Sequence, residues 1–138
     1  RVVDGVSYYN DSIGTSPTRT ANGTLQLYDR KIILIAGGYD KHIPYDTLGP
    51  IIMDKVKTLI LMGATADKIE AAVKAAPNYC EQEIVILHAN SMEKAVALAK
   101  EQAQKGDIVS LSPASASFDL YPNFEARGNH FKNIVNAL

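Results

Sequence analysis

From residue 31 onward the chain alternates short apolar runs with longer amphipathic segments, and few folds accept that order. Residues 31–36 form a continuous apolar run of strand length, and residues 58–62, 83–87 and 107–111 repeat the theme. Between them lie segments with apolar positions at helical spacing. One runs over 44–55. A second follows Thr65 and carries Ile69, Val73 and Ala76. A third follows Ser91 and carries Met92, Ala95, Val96, Ala99 and Ala103, with Gly106 as its stop. Thr65 and Ser91 read as N-caps, because their side-chain oxygens can accept from the free N–H groups of a first helical turn. A last helix over 122–137 is expected to bury Phe124, Phe131, Ile134 and Val135. Unbroken apolar strands alternating with helices imply an α/β fold, with a mostly parallel sheet covered on both faces.

The first residues break the parallel rule. Val2-Val3-Asp4-Gly5-Val6-Ser7-Tyr8-Tyr9 reads as a tight hairpin, since Asp-Gly suits a two-residue turn between β-formers. One antiparallel strand at the N-terminal end is therefore expected. Residues 10–16 are small and polar, hence a loop, and Ser16-Pro17 looks like the start of a short helix. The chain opens at Arg1 within strand-like sequence, which suggests a domain cut from a longer protein.

The 138 residues suit one domain, folded as a monomer, and 46% hydrophobic with 21% charged content is globular. Fourteen basic and fifteen acidic residues leave a net charge of −1, and no run of like charge exceeds two. Nucleic acid is a poor partner for such a surface. The longest apolar stretch is about five residues, far short of the ~20 a membrane helix needs, so no membrane span is expected. The single cysteine, Cys80, allows no internal disulfide and fits a reducing, cytoplasmic setting.

In an open parallel sheet, ligands bind beyond the carboxyl ends of the strands. Three loops there carry hydrogen-bonding groups. Asn10-Asp11-Ser12-Ile13-Gly14-Thr15-Ser16 feeds a helix start and offers N–H groups to an anion; Asp11 could accept from ribose hydroxyls, or Asp11, Thr15 and Ser16 could simply cap and turn the chain. Gly37-Gly38-Tyr39-Asp40-Lys41 lets backbone approach a ligand and adds an ammonium, although a solvated lysine on a glycine turn fits equally. Ser112-Pro113-Ala114-Ser115-Ala116-Ser117-Phe118-Asp119 exposes hydroxyls and backbone, or serves as a crossover. Together they suit a small anion with one or two carboxylates or phosphates. Gly63-Ala64 and His88-Ala89-Asn90 look like plain connectors.

Neither G-x-x-x-x-G-K-[ST] nor G-x-G-x-x-G occurs. His42, His88 and His130 lie in separate elements without metal spacing, so no metal site is expected. Cys80 sits beside Pro77-Asn78-Tyr79 without signs of activation and reads as structural.

These loops, taken in order with Asn123-Phe124-Glu125-Ala126-Arg127-Gly128, resemble the C-terminal domain of the Mur ligases. The likeness is closest to the members that add D-glutamate to UDP-MurNAc-L-alanine, and it covers nearly the whole chain. It implies a Rossmann-like three-layer domain, the third of three. A first domain would bind the UDP moiety, and a central one would hold the phosphate loop with most contacts to ATP and Mg2+. The implied reaction forms an acyl phosphate on the UDP-MurNAc-L-alanine carboxylate at the expense of ATP. Attack by the D-glutamate amine then gives an amide, in peptidoglycan precursor synthesis.

Carried over by position, Thr15, Lys41, Ser117, Phe118 and Phe124 would contact D-glutamate, and Asp11 would face the nucleotide. Lys41 would pair with a substrate carboxylate, a charge-assisted bond. The Ser117 hydroxyl and Phe118 N–H would hold the other end, with Phe124 packed nearby. Ile13 departs from the family, which often carries lysine there. No catalytic residue is implied in this piece, which alone should be inactive. Two other readings compete: a stand-alone small-anion-binding or regulatory module of flavodoxin-like fold, and the same domain from a Mur ligase that adds a different amino acid.

Overall fold

A computed structural model describes residues 2–10, 20, 24–27, 30–38, 44–115 and 121–138. Strands β1 (Val2–Val3), β2 (Val6–Asn10), β3 (Ile32–Ala36), β4 (Val56–Leu61), β5 (Val85–His88) and β6 (Ile108–Leu111) form one sheet, ordered β1-β2-β6-β3-β4-β5. The β1–β2 pair is antiparallel, and every other pairing is parallel. The hairpin turns through Asp4 and Gly5, both at positive φ (52° and 79°), the backbone that Asp-Gly accepts at low cost. This is a Rossmann-like α/β domain with a single antiparallel edge strand.

Helices α1 (Leu48–Lys55) and α2 (Ala66–Lys74) cover one face, and α3 (Met92–Gln102) and α4 (Phe124–Asn136) cover the other. Strand β3 shows why both faces must be covered. Ile32, Leu34 and Ala36 pack with Leu48, Ile52, Ile69 and Val73, while Ile33 and Ile35 pack with Met92, Val96, Phe131 and Val135. Side chains alternate across a strand, so a strand buried on both sides must be apolar throughout. All five β3 residues are fully buried, and each large one contributes roughly 1.5–3 kcal/mol.

Several expectations shift. Residues 44–47 form a turn, with Leu48 N–H donating to Tyr45 O at 3.0 Å, and the helix begins only at Leu48. It passes without a connector into β4, which starts at Val56 rather than 58. Glu83 ends a short 3-10 turn (Glu81–Glu83), and the edge strand β5 is only partly covered. Strand β6 is not wholly apolar, because Ser110 is buried in it, satisfied by a 2.8 Å bond to Ser112 Oγ. Ser91 caps α3, accepting from Lys94 N–H at 3.1 Å. Thr65 precedes α2 but makes no side-chain cap. Phe124 was expected in the core and is 37% exposed, because Asn123 caps α4 and leaves Phe124 as its first residue. The short helix expected from Ser16-Pro17 lies outside the described residues.

Candidate binding site at the carboxyl edge of the sheet

The chain runs β3 to β4 to β5 in one direction, then returns to lay β6 on the other side of β3. In an open α/β sheet such a reversal of strand order marks the edge where ligands bind. The last residues of β2, β6 and β3 stand side by side, with Asn10 opposite Leu111 and Leu111 opposite Ile35. All three loops singled out from the sequence leave this one edge.

Beyond it the backbone is tied down bond by bond. Gly37 N–H donates to Pro113 O at 2.8 Å, and Ser112 N–H donates to Ile35 O at 3.1 Å. Thr65 exchanges two bonds with Gly38: its N–H donates to Gly38 O at 3.0 Å, and its Oγ1 accepts from Gly38 N–H at 2.9 Å. The same Oγ1 lies 2.8 Å from Ser115 Oγ, which lies 2.8 Å from Tyr45 OH. Arg127 Nη1 donates to Ser115 O at 2.9 Å. Asn10 Nδ2 donates to Gly128 O at 3.3 Å, joining β2 to α4. Thr65, Ser115, Tyr45 and Arg127 are all buried. Ala114 takes a φ of +57°, a costly backbone for a side chain, held here among these contacts.

Of the residues carried over from the family, Phe124 is described, at the N-terminus of α4, partly exposed. Asp11, Thr15, Lys41, Ser117 and Phe118 lie outside the described residues. The stems on either side of them converge: Gly38 and Ser115 are joined through Thr65. Sequence reasoning missed Thr65, Tyr45 and Ser115 as a cluster, and it gave no role to Arg127. A signal for Arg127 exists, since Arg127, Phe131 and Val135 fall four apart on the core face of α4. Its guanidinium donates to Ser115 O and so braces the start of α4 against the stem of the loop that leaves β6.

Just before α4, Tyr121 OH meets His130 Nδ1 at 2.5 Å, and His130 Nε2 meets Glu93 Oε1 at 2.7 Å. Burial, then the Glu93 charge, pushes the Tyr121 hydroxyl up to about 12, so it stays protonated. The Glu93 carboxyl is held low by its own backbone N–H and then by His130. His88 is not a plain connector, because its Nε2 lies 2.8 Å from Glu70 Oε1. With Asp67 these form a cluster whose ligand atoms lie within 4.8 Å. Lys74 already occupies the second Glu70 oxygen at 2.9 Å and, ahead of His88, holds that carboxyl low. This is a surface ion-pair network. Cys80 is partly buried and directs Sγ to Gln82 Oε1 at 3.3 Å. Among the described residues no helix is long and apolar enough to cross a membrane.

Residues 1–115 match the family described as Mur ligase, glutamate ligase domain. The chain belongs to the Mur ligase family. Proteins named UDP-N-acetylmuramoylalanine--D-glutamate ligase match this Mur ligase domain along its whole length. One from Clostridium botulinum (strain Okra / Type B1) is 59% identical, and one from Clostridium acetobutylicum is 56% identical. The chain spans about 30% of the length of these relatives.

Proposed function

We propose that the chain is the amino-acid-binding C-terminal domain of a three-domain, ATP-dependent ligase that adds D-glutamate to UDP-MurNAc-L-alanine in peptidoglycan precursor synthesis. The observation that carries this reading is 59% identity along the whole chain to a protein named for that reaction. The geometry is compatible with it. The loops bearing Thr15, Lys41 and Ser117 leave one sheet edge, which Arg127 ties to the start of α4, and a helix N-terminus favours an anion.

In the proposed reaction ATP phosphorylates the UDP-MurNAc-L-alanine carboxylate. The D-glutamate amine attacks the acyl phosphate, releasing phosphate and leaving an amide and ADP. This domain's part is to bind and aim the amine. Lys41 pairs with a D-glutamate carboxylate, Ser117 and the Phe118 N–H hold the other end, and Thr15 and Phe124 complete the pocket. Asp11 faces the nucleotide. ATP and Mg2+ are held mainly by the central domain, which together with the N-terminal domain is this domain's partner, in the cytoplasm. The deciding experiment is steady-state kinetics of Lys41→Ala in the full-length ligase, with each substrate varied in turn. A raised KM for D-glutamate alone supports the reading, and unchanged constants overturn the site.

A further inference from the structure

We infer that Asp67, Glu70 and His88 form a three-ligand surface site for a transition-metal dication of the zinc type, which pins the edge strand β5 to α2. The inference does not rest on the proposed D-glutamate site and uses none of its residues.

Two elements bring the three side chains together. Asp67 and Glu70 stand three apart in α2 and so share one face of it. His88 ends β5, beside Leu61 of β4. One ligand atom from each of the three lies within 4.8 Å of the other two. His88 Nε2 is already 2.8 Å from Glu70 Oε1. Lys74 Nζ takes the other Glu70 oxygen, Oε2, at 2.9 Å and leaves Oε1 to the cluster.

The charges call for a cation. Among the described residues, the Asp67 carboxylate has no hydrogen bond or ion pair of its own. Two carboxylates this close on one helix face repel each other. Lys74 offsets Glu70 from its far side only. A dication among the three ligand atoms would offset both carboxylates. An imidazole nitrogen beside two carboxylate oxygens suits zinc better than Mg2+ or Ca2+, which take oxygen ligands. Asp67 is exposed, and the His88 and Glu70 side chains are 46% and 24% exposed, so water can complete a fourth position.

The geometry needs only side-chain movement. Four ligands at zinc-like bond lengths stand roughly 3.3 Å apart. The His88–Glu70 contact must therefore open slightly, and the widest gap must close by at most about 1.5 Å, which a rotamer adjustment at the surface supplies. The metal takes the Nε2 lone pair, the neutral ring keeps its proton on Nδ1, and the metal replaces the hydrogen bond to Glu70. Strand β5 ends the sheet order and is only partly covered, so a metal held across it and α2 would stabilise the fold by linkage.

The test titrates the full-length protein with ZnCl2 by calorimetry, after chelation and exchange into buffer with millimolar MgCl2, which keeps any magnesium site filled. The expected result is a zinc site with a Kd below about 100 µM, weakened at least about tenfold by each of Asp67→Asn, Glu70→Gln and His88→Ala. Zinc should raise the melting temperature of the parent and leave that of His88→Ala in place. Lys74→Met, which frees the second Glu70 oxygen, should bind zinc about threefold more tightly than the parent. A parent without such a site overturns the inference. So does zinc affinity that survives unchanged in all three ligand variants, since the metal then sits elsewhere. Should one ligand variant fail to fold, the other two decide. Because the D-glutamate KM is not the readout, failure here leaves the proposed function standing.

Discussion

A Cβ placed on Gly37 would lie 1.9 Å from the carbonyl oxygen of Met62. Gly37 follows β3 at a φ of +108°, and Met62 N–H donates to Ala36 O beside it at 3.0 Å. The backbones of two central strands meet where the glycine-rich loop departs, and only hydrogen fits between them.

Gly37→Ala should therefore cost more than about 3 kcal/mol. Positive φ alone costs a side chain about 1–3 kcal/mol, and here the clash is with backbone rather than with a flexible side chain. Chemical denaturation of the variant against the parent measures it. A loss below about 1 kcal/mol would mean that the strand ends separate easily.

Asp107 gives a pH dependence with a defined sign. Its Oδ1 lies 2.6 Å from Lys57 Nζ, and its Oδ2 accepts from Gln104 N–H at 2.8 Å. Burial alone would raise this carboxyl, but the Lys57 bond and then the Gln104 N–H hold it below its ordinary 3.8. The unfolded chain thus binds a proton more readily, and stability rises with pH across that window. The contribution is complete above the ordinary value and fades as pH falls through the lowered one. Asp107→Asn should cost about 1 kcal/mol at pH 7, a charged bond discounted because Lys57 is solvent-accessible. The gap between variant and parent should narrow below about pH 4. A gap that stays constant from pH 7 to pH 3 would rule out the ion pair as its source.

How far the sequence carries depends on which force decides each element. Hydrophobic burial decides β3 and β4, and double coverage leaves a plain apolar signature at Ile32–Ala36 and Leu59–Leu61, while Lys57 and Thr58 hide the true start of β4 at Val56. Local turn chemistry decides Asp4-Gly5 and the Ser91 cap, and both are legible as well. Thr65 is not, because the capping rule is local while its actual partners, Gly38 and Ser115, are 27 and 50 residues away. Tyr45 misleads for the same reason: its hydroxyl joins Ser115, and the turn that places it delays α1 to Leu48. Arg127 sits at a core position of α4, where residue type argues for solvent and spacing argues for burial. The loops read as a candidate site because their stems leave one sheet edge. Their assignment to D-glutamate came from the resemblance, since three polar loops alone specify an anion and no more.

A polypeptide limited to these 138 residues should release no phosphate when given ATP, Mg2+, UDP-MurNAc-L-alanine and D-glutamate. The sequence holds no G-x-x-x-x-G-K-[ST] loop of N–H groups for a triphosphate. ATP should bind it weakly or not at all. Calorimetric titration and a phosphate-release assay check both statements, and turnover or micromolar ATP affinity would contradict them.

Lys41→Ala in the full-length ligase should raise the KM for D-glutamate far more than the KM for ATP. Lys41 follows the Gly37-Gly38 pair at the end of a central strand, where a flexible ammonium can reach a bound carboxylate. A hydrogen bond to a charged group is worth about 1.5–3 kcal/mol, which corresponds to a factor of about 10–150 when it acts equally on ground and transition states. Ser117→Ala should act in the same direction but less, because its hydroxyl is a neutral donor. A lysine that merely points into solvent would leave both constants unchanged. Substrate-saturation curves with D-glutamate and ATP varied in turn separate these cases. The ratio of the two KM changes is the quantity to read, since general damage to folding lowers kcat without raising one KM alone.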